Sequence, residues 1–382
     1  MTKLGQFIES VSERNKSGLD IPVYSVSNTQ GFCSEYFSKN VASKNTSTYK
    51  IVRKGYFAYN PSRINVGSVD FLRSADSVLV SPIYNVFRVL DGIDRRYLLY
   101  FLKSPLTQEE IDRRGKGGIR NNLKLETLAD FDINIPSIEK QIKTVEVFES
   151  IERIIRLQEK YIETNEKLIK RVFLDTFGNP ITNPKGWIKK PLLELGSLKN
   201  GMNFHEDNSG LSLPFVGVGD FKDKLFITVD SLRSTVILDS MPPSDLMLKD
   251  GDILLVRSNG NRQLVGRSVL VYPGKEKVTY SGFCIRYRIT SEDILPMFVL
   301  SFFKYPTIRK ILSGQSSGSN ITNLNQRILS QLTIPIPPIE LQRHYGEAVK
   351  GIYESMCKLK KQTELLVKLR NSLMRRFFST EC

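Results

Sequence analysis

Two long stretches of this chain carry apolar residues at helical spacing. Residues 138–177 and 339–378 contain no proline, and glycine only at Gly346 and Gly351. In the first, Ile155, Ile162 and Ile169 stand seven apart, and Ile151 and Val172 extend the stripe. In the second, Ile352, Leu359, Leu366 and Leu373 are also seven apart. That spacing predicts a coiled-coil seam, on helices of about 40 residues and about 60 Å each. Ser137 can cap the first helix, and Pro338 sits where a first-turn proline is tolerated. The run Asp175-Thr176-Phe177-Gly178-Asn179-Pro180 is a stop. The alternative is two independent amphipathic helices, each lying on its own domain. Charge on most turns of both polar faces favours the paired reading.

Ahead of each helix the pattern changes to the two-residue alternation of strands. Ile21–Val26 alternates, with Leu213–Val218 as its counterpart. Lys54–Asn60 reads as a turn and a strand, matched by Asp250–Val256. Val86–Val89 is paired with Ile285–Arg288. Between them lies a loop with one skeleton in both places, Arg63-Ile64-Asn65-Val66-Gly67 and Arg262-Gln263-Leu264-Val265-Gly266. Short helices are predicted near 95–104 and 295–305. A glycine-rich polar loop follows, Arg113–Asn122 in one place and Ser313–Asn320 in the other, the first strongly basic and the second neutral. A buried strand, Phe131–Pro136 or Leu332–Pro337, then leads into the long helix.

These parallels are a duplication. Residues 98–177 slide forward by 201 positions onto 299–378 without a gap. Leu99 falls on Leu300, Phe101 on Phe302, Asn122 on Asn323, Ile133 on Ile334, Gln141 on Gln342 and Phe177 on Phe378. The period is too long for a solenoid. The front parts match only with shifting offsets, as loops with insertions do. Two front units of one design therefore sit on two backs that keep register.

Composition narrows the class. The 382 residues carry a net charge of +15, with 40% apolar and 25% charged residues. That is a globular composition whose excess charge suits a polyanion such as nucleic acid. No run is long enough to cross a bilayer, and the first residues lack a signal-peptide stretch. The four cysteines form no C-x-x-C pair, which fits a reduced, cytoplasmic setting. Two histidines, His205 and His344, are too few for a His-rich metal site.

Reacting constellations are missing. No phosphate-binding G-x-x-x-x-G-K-[ST] loop is present, and Gly115-Lys116-Gly117-Gly118 matches one only in composition. Asn60-Pro61-Ser62-Arg63 lacks the second proline and the aromatic ring of an amino-methyltransferase motif. The acidic residues read as solvated helix charge. No catalytic residue, metal or cofactor is expected.

At the backs the pattern becomes specific. An Asn-Leu pair precedes an Ile-x-Ile-Pro strand, and Ile-Glu-x-Gln opens the helix. The residues are Asn122-Leu123, Ile133-Asn134-Ile135-Pro136 and Ile138-Glu139-Lys140-Gln141, then Asn323-Leu324, Ile334-Pro335-Ile336-Pro337 and Ile339-Glu340-Leu341-Gln342. This order, occurring twice, resembles the specificity subunit of type I restriction-modification systems. The likeness runs through nearly the whole chain, including Gly186-Trp187 and the Leu195-Gly196 echoed by Leu4-Gly5, although Leu4 has no preceding Gly-Trp.

The resemblance implies an α+β protein. Two β-rich mixed target-recognition domains would stand in pseudo-two-fold repeat, separated by two long antiparallel helices forming a coiled coil. The expected bounds are 1–136 for the first domain, 137–178 for the central helix, 179–337 for the second domain and 338–380 for the C-terminal helix. The implied function is to read a bipartite double-stranded DNA target. The implied partners are two methyltransferase (modification) subunits and ATP-dependent restriction subunits.

Candidate DNA-binding residues follow from side-chain chemistry. Arg63 and Arg262 can grip guanine, and nearby Asn60 and Asn259 can grip adenine. Either arginine could instead brace its own loop. Arg257 and Asn261 add donors in the second copy. Lys116, Arg120 and Asn121 lie in the glycine loop, where small residues let backbone approach a duplex; a surface loop without contacts is the alternative. The rival to the whole reading is a duplicated protein-interaction scaffold without DNA readout, which the positive charge disfavours.

Overall fold

The computed structural model describes residues 2–34, 46–115, 122–204, 210–222, 224–232, 234–314 and 323–379. The fold is α+β, and the chain gathers into two compact units, Met1–Lys160 with Lys360–Cys382, and Tyr161–Leu359. Each unit therefore holds one front, part of the first long helix and part of the second.

In the first unit an antiparallel sheet orders Ile8–Val11, Asn85–Val89, Phe57–Tyr59 and Val69–Phe71. Alternation along the inner strand serves two cores. Phe57 and Tyr59 enter one apolar cluster and Ala58 another, as opposite faces of a strand require. Phe57 stacks on Phe87 at 5.0 Å. Helix Arg95–Lys103 covers the first cluster with Tyr97, Leu98, Tyr100, Phe101 and Leu102. Asp94 caps it, accepting from the N–H groups of Arg96 and Tyr97.

In the second unit the sheet orders Gly196–Asn200, Cys284–Ile289, Asp252–Val256, Ser268–Tyr272 and Phe226–Thr228, the last pair parallel. Its inner strand repeats the plan: Ile253 and Leu255 face one cluster, Leu254 and Val256 the other. A strand covered on both faces has to be apolar throughout, which explains the run Ile253-Leu254-Leu255-Val256. At the strand's start, buried Asp252 is paired with Arg288 at 2.6 Å and accepts from the Lys249 N–H.

The long helices are Ile138–Phe177 and Ile339–Phe378. Within the first unit their segments run antiparallel. Phe148 meets Phe378 with ring centroids 6.1 Å apart, Glu152 lies 3.7 Å from Arg370, and Thr363 Oγ1 donates to Gln158 Oε1 at 2.7 Å. Of the heptad residues, Ile155 is buried and Ile151, Ile162, Ile169, Val172, Ile352, Leu359, Leu366 and Leu373 are half-buried. The expected stop is built as a cap. Gly178 takes a positive φ of 77°, Lys185 Nζ donates to the Asp175 and Thr176 carbonyls, and Trp187 Nε1 donates to the Phe177 carbonyl.

Several local expectations shift. Ile21–Val26 is not one strand: Val23 forms a lone bridge to Leu79, and the strand is Ser25–Ser27. Pro22 has no N–H to continue a ladder. Arg113 and Arg114 belong to a second short helix, Pro105–Gly115, where both pair with Glu110. Further helices occupy Pro306–Leu312, Leu125–Ala129 and Gln326–Ser330. The buried strand before the first long helix shortens to Asp132–Ile133, paired with Thr2–Lys3.

Pairing also corrects two repeat equivalences. Ile253 faces Tyr287 as Phe57 faces Phe87, so Phe87 answers Tyr287, and Arg88 answers Arg288. The Leu4 N–H donates to the Phe131 carbonyl as the Leu192 N–H donates to that of Leu332. Leu4 therefore answers Leu192 and not Leu195. A one-residue slip would turn every strand side chain to the wrong face, so backbone register outranks dipeptide likeness.

Candidate nucleic-acid interface

The inner strand of each sheet runs into the loop that both copies share. In the first unit Asn60 Oδ1 accepts from the Ser62 N–H at 3.0 Å, and the Arg63 N–H donates to the Asn60 carbonyl at 2.9 Å. A single 3-10 turn, Ile64–Val66, follows and ends at Gly67 with φ 81°. Arg63 is exposed. In the second unit Asn259 Oδ1 accepts from the Asn261 N–H at 2.8 Å, and Asn261 Oδ1 from that of Gln263 at 3.0 Å. The turn Arg262–Leu264 follows, and Gly266 has φ 74°. Asn261 and Arg262 are exposed, while Arg257 and Asn259 are half-buried.

The asparagines therefore shape the loop as well as occupying it. An Asx turn uses one lone pair of each Oδ1. Asn60 and Asn259 keep a second lone pair and an amide NH2 for any further contact. Arg63 and Arg262 are both exposed, and Arg262 Nη2 lies 3.4 Å from the Gly314 carbonyl of its own unit.

The structure brings each loop against the ends of the glycine-rich segment. The Leu123 N–H donates to the Pro61 carbonyl at 3.1 Å, and that of Leu324 to the Arg257 carbonyl at 2.8 Å. Ser258 bridges Asn323. The Tyr59 hydroxyl donates to the Leu123 carbonyl at 3.1 Å and accepts from Asn85 Nδ2 at 2.9 Å. Burial raises the Tyr59 pKa, so the phenol stays a donor. A narrow crevice in the first unit, lined by Pro61, Ile64, Asn65, Ile111, Gly115 and Leu123, marks the same junction. Lys116, Arg120 and Asn121 lie outside the described residues, though flanking Gly115 and Asn122 line that crevice with the loop.

Pattern reading missed the residue beneath the second loop. Arg309, on helix Pro306–Leu312, donates from Nη1 to the Val265 carbonyl at 2.5 Å and from Nη2 to the Gln263 carbonyl at 2.9 Å. Burial, helped by the Arg267 charge, lowers its pKa to about 10. No periodic signal joins positions so far apart in sequence.

Among the described residues no group of three or more His, Cys, Asp or Glu side chains is arranged to hold a metal ion. No described helix is long and apolar enough to cross a membrane.

Comparison with known proteins agrees with this architecture. Residues 5–166 and 184–369 each match the family described as the type I restriction modification DNA specificity domain. The specificity subunit of the type I restriction enzyme StySPI from Salmonella potsdam is 25% identical over 297 residues, 74% of this chain and 63% of that one. The EcoKI specificity subunit of Escherichia coli is 22% identical over 281 residues, 70% of this chain and 60% of that one. The matched regions thus span under two thirds of these relatives' length. The crystal structure of a type I restriction-modification S subunit from M. genitalium superposes with a TM-score of 0.62 at 16% identity, covering 100% of this chain and 96% of that one. A chain from a structure concerned with complex assembly and conformational transition of the type I R-M system gives 0.59 at 16% identity, with 100% and 97% covered.

Proposed function

We propose, on the premise that this chain belongs to the type I restriction modification DNA specificity family, that it reads a bipartite double-stranded DNA target. It directs two methyltransferase subunits and the restriction subunits of a cytoplasmic complex to that target. In this reading the chain has no catalysis of its own. The observation that carries the proposal is the loop built twice. One backbone device, an Asx turn, a 3-10 turn and a left-handed glycine, stands at the same place in both units but presents different side chains. A shared frame with different side chains suits two different half-sites.

Arg63 and Arg262 are the proposed guanine contacts, and Asn60, Asn259 and Asn261 the amide contacts. Arg257, Lys116, Arg120 and Asn121 add donors toward bases and phosphates. The net charge of +15 supplies sequence-independent phosphate affinity.

Replacing residues 1–136 by the front of a related subunit leaves both long helices in place. The expected outcome, read by methylome sequencing of cells carrying the swap, is a new sequence in one half of the target with the other half retained. Changes in both halves would refute modular reading. An unchanged target would refute DNA reading by this front.

A further inference from the structure

We infer that Arg309 is a positioning residue for DNA reading in the second unit, one that holds the loop 259–266 in shape without touching DNA. The inference rests on the proposed reading of that loop as a DNA-contacting element.

The guanidinium fork is spent on the protein itself. Its two nitrogens bind the carbonyls of Gln263 and Val265, one and three residues after Arg262. A planar fork fixes two acceptors at once, which a lysine cannot do. The loop lies tight on the helix that carries Arg309. A Cβ added at Gly266 would come within 2.7 Å of Leu312 Cβ and 2.9 Å of Arg309 Nη1, at a φ of 74° that side chains rarely adopt. The Ser313 N–H donates to the Arg309 carbonyl at 3.0 Å, and the next residue, Gly314, receives Arg262 Nη2. The Arg309 and Arg262 side chains thus join the loop to the helix Pro306–Leu312 and to Gly314 just after it.

The two acceptors differ: Gln263 is exposed, so water can serve its carbonyl when Arg309 is gone, whereas Val265 is buried, so the variant's stability is read by thermal melting beside its base preference. What the clamp supplies is a fixed geometry, and base discrimination depends on that because hydrogen bonds weaken steeply with distance and angle. The first unit solves the problem differently. There the matching position is Gln108, whose Nε2 donates to the Leu102 carbonyl, while Asn65 Nδ2 reaches Asp112 Oδ1 at 3.5 Å. Arg309 is therefore a device of the second unit alone.

The test uses the full chain with its cognate methyltransferase and a pool of randomised duplex DNA. The sequence that the wild-type complex enriches then serves as the probe. With Arg309→Gln, base preference at the second unit's half-site is expected to fall about tenfold, with the other half-site unchanged. Arg309→Lys, which can restore one of the two bonds, is expected to recover part of that preference. The salt dependence of binding to unrelated duplex is expected to stay at the wild-type slope. A slope reduced by about one would mean a direct phosphate contact and would overturn the inference. Equal losses in both half-sites, or no loss, would overturn it as well. Arg262→Ala separates the two levels. If it abolishes preference in one half while Arg309→Gln does nothing, the positioning role fails and DNA reading stands. If the wild-type complex enriches no sequence, DNA reading fails and takes this inference with it.

Discussion

Phe378→Ala is expected to destabilise the first unit by about 3–5 kcal/mol while leaving the second unit's amide protection unchanged. Phe378 is 5% exposed. Its ring lies 5.2 Å from Tyr97, 5.8 Å from Phe101 and 6.1 Å from Phe148. Truncation removes the whole ring and leaves a hole bounded by three others, which cannot collapse to fill it. Phe177 is the mirror case, 4.6 Å from Phe298 and 5.1 Å from Tyr345 in the second unit. Phe177→Ala is expected to loosen the second unit by a similar amount. Hydrogen exchange read segment by segment checks both. The diagnostic result is a crossed pattern. The change at the end of the first long helix is felt in the second front, and the change at the end of the second helix in the first front. Loss of protection in the wrong front, or none, would contradict the packing.

Gln342→Ala is expected to cost roughly 2–4 kcal/mol, and Gln141→Ala a similar amount, because each removes a buried amide and leaves three backbone groups, most of them partly buried, without that partner, at about 1–3 kcal/mol for a group that water does not reach and less for the exposed ones. Both side chains are fully buried. Gln342 Oε1 accepts from the Leu295 N–H at 2.8 Å, and Nε2 donates to the carbonyls of Asp293 at 2.9 Å and Pro337 at 2.8 Å. Gln141 repeats the set with the Asp94 N–H and the Gly92 and Pro136 carbonyls. Each amide thus ties the first turn of a long helix to the segment opening the short helix of its front. Gln→Glu keeps the acceptor, loses both donors and places charge in a dry site, so it is expected to rescue neither position. Chemical denaturation of each variant gives the magnitude, and exchange at 92–97 or 293–298 gives the location. A change within about 0.5 kcal/mol at either position would show that the latch contributes nothing.

Those glutamines show how far local reading reaches. The sequence shows only that they match, just inside both helices. Two of each one's three partners lie 47 and 49 residues away, in a loop whose sequence says nothing about them. The reading loops divide the same way. The sequence shows the loop skeleton ending at Gly67 and Gly266 twice and offers Asn60 and Asn259 as base contacts, while the Asx turns these asparagines make appear only in the structure. Arg309 acts from a separate helix and left no periodic trace.

By itself, the sequence determined whatever depends on neighbours a few residues apart. That includes the seven-residue stripes of both long helices, the glycine and proline stop after Phe177, the apolar run of the inner strand and the duplication with its doubled loop. Period and turn chemistry are written in consecutive side chains, so they survive without a partner. Only the tertiary structure decided which distant segments share a core. Front residues 97–101 close on Phe378, at the far end of the other helix, and strand pairing equates Leu4 with Leu192. Apolar rings carry no address: burial rewards any partner that fills the space. The choice among partners therefore rested on shape, register and the few buried polar groups that must each find a match.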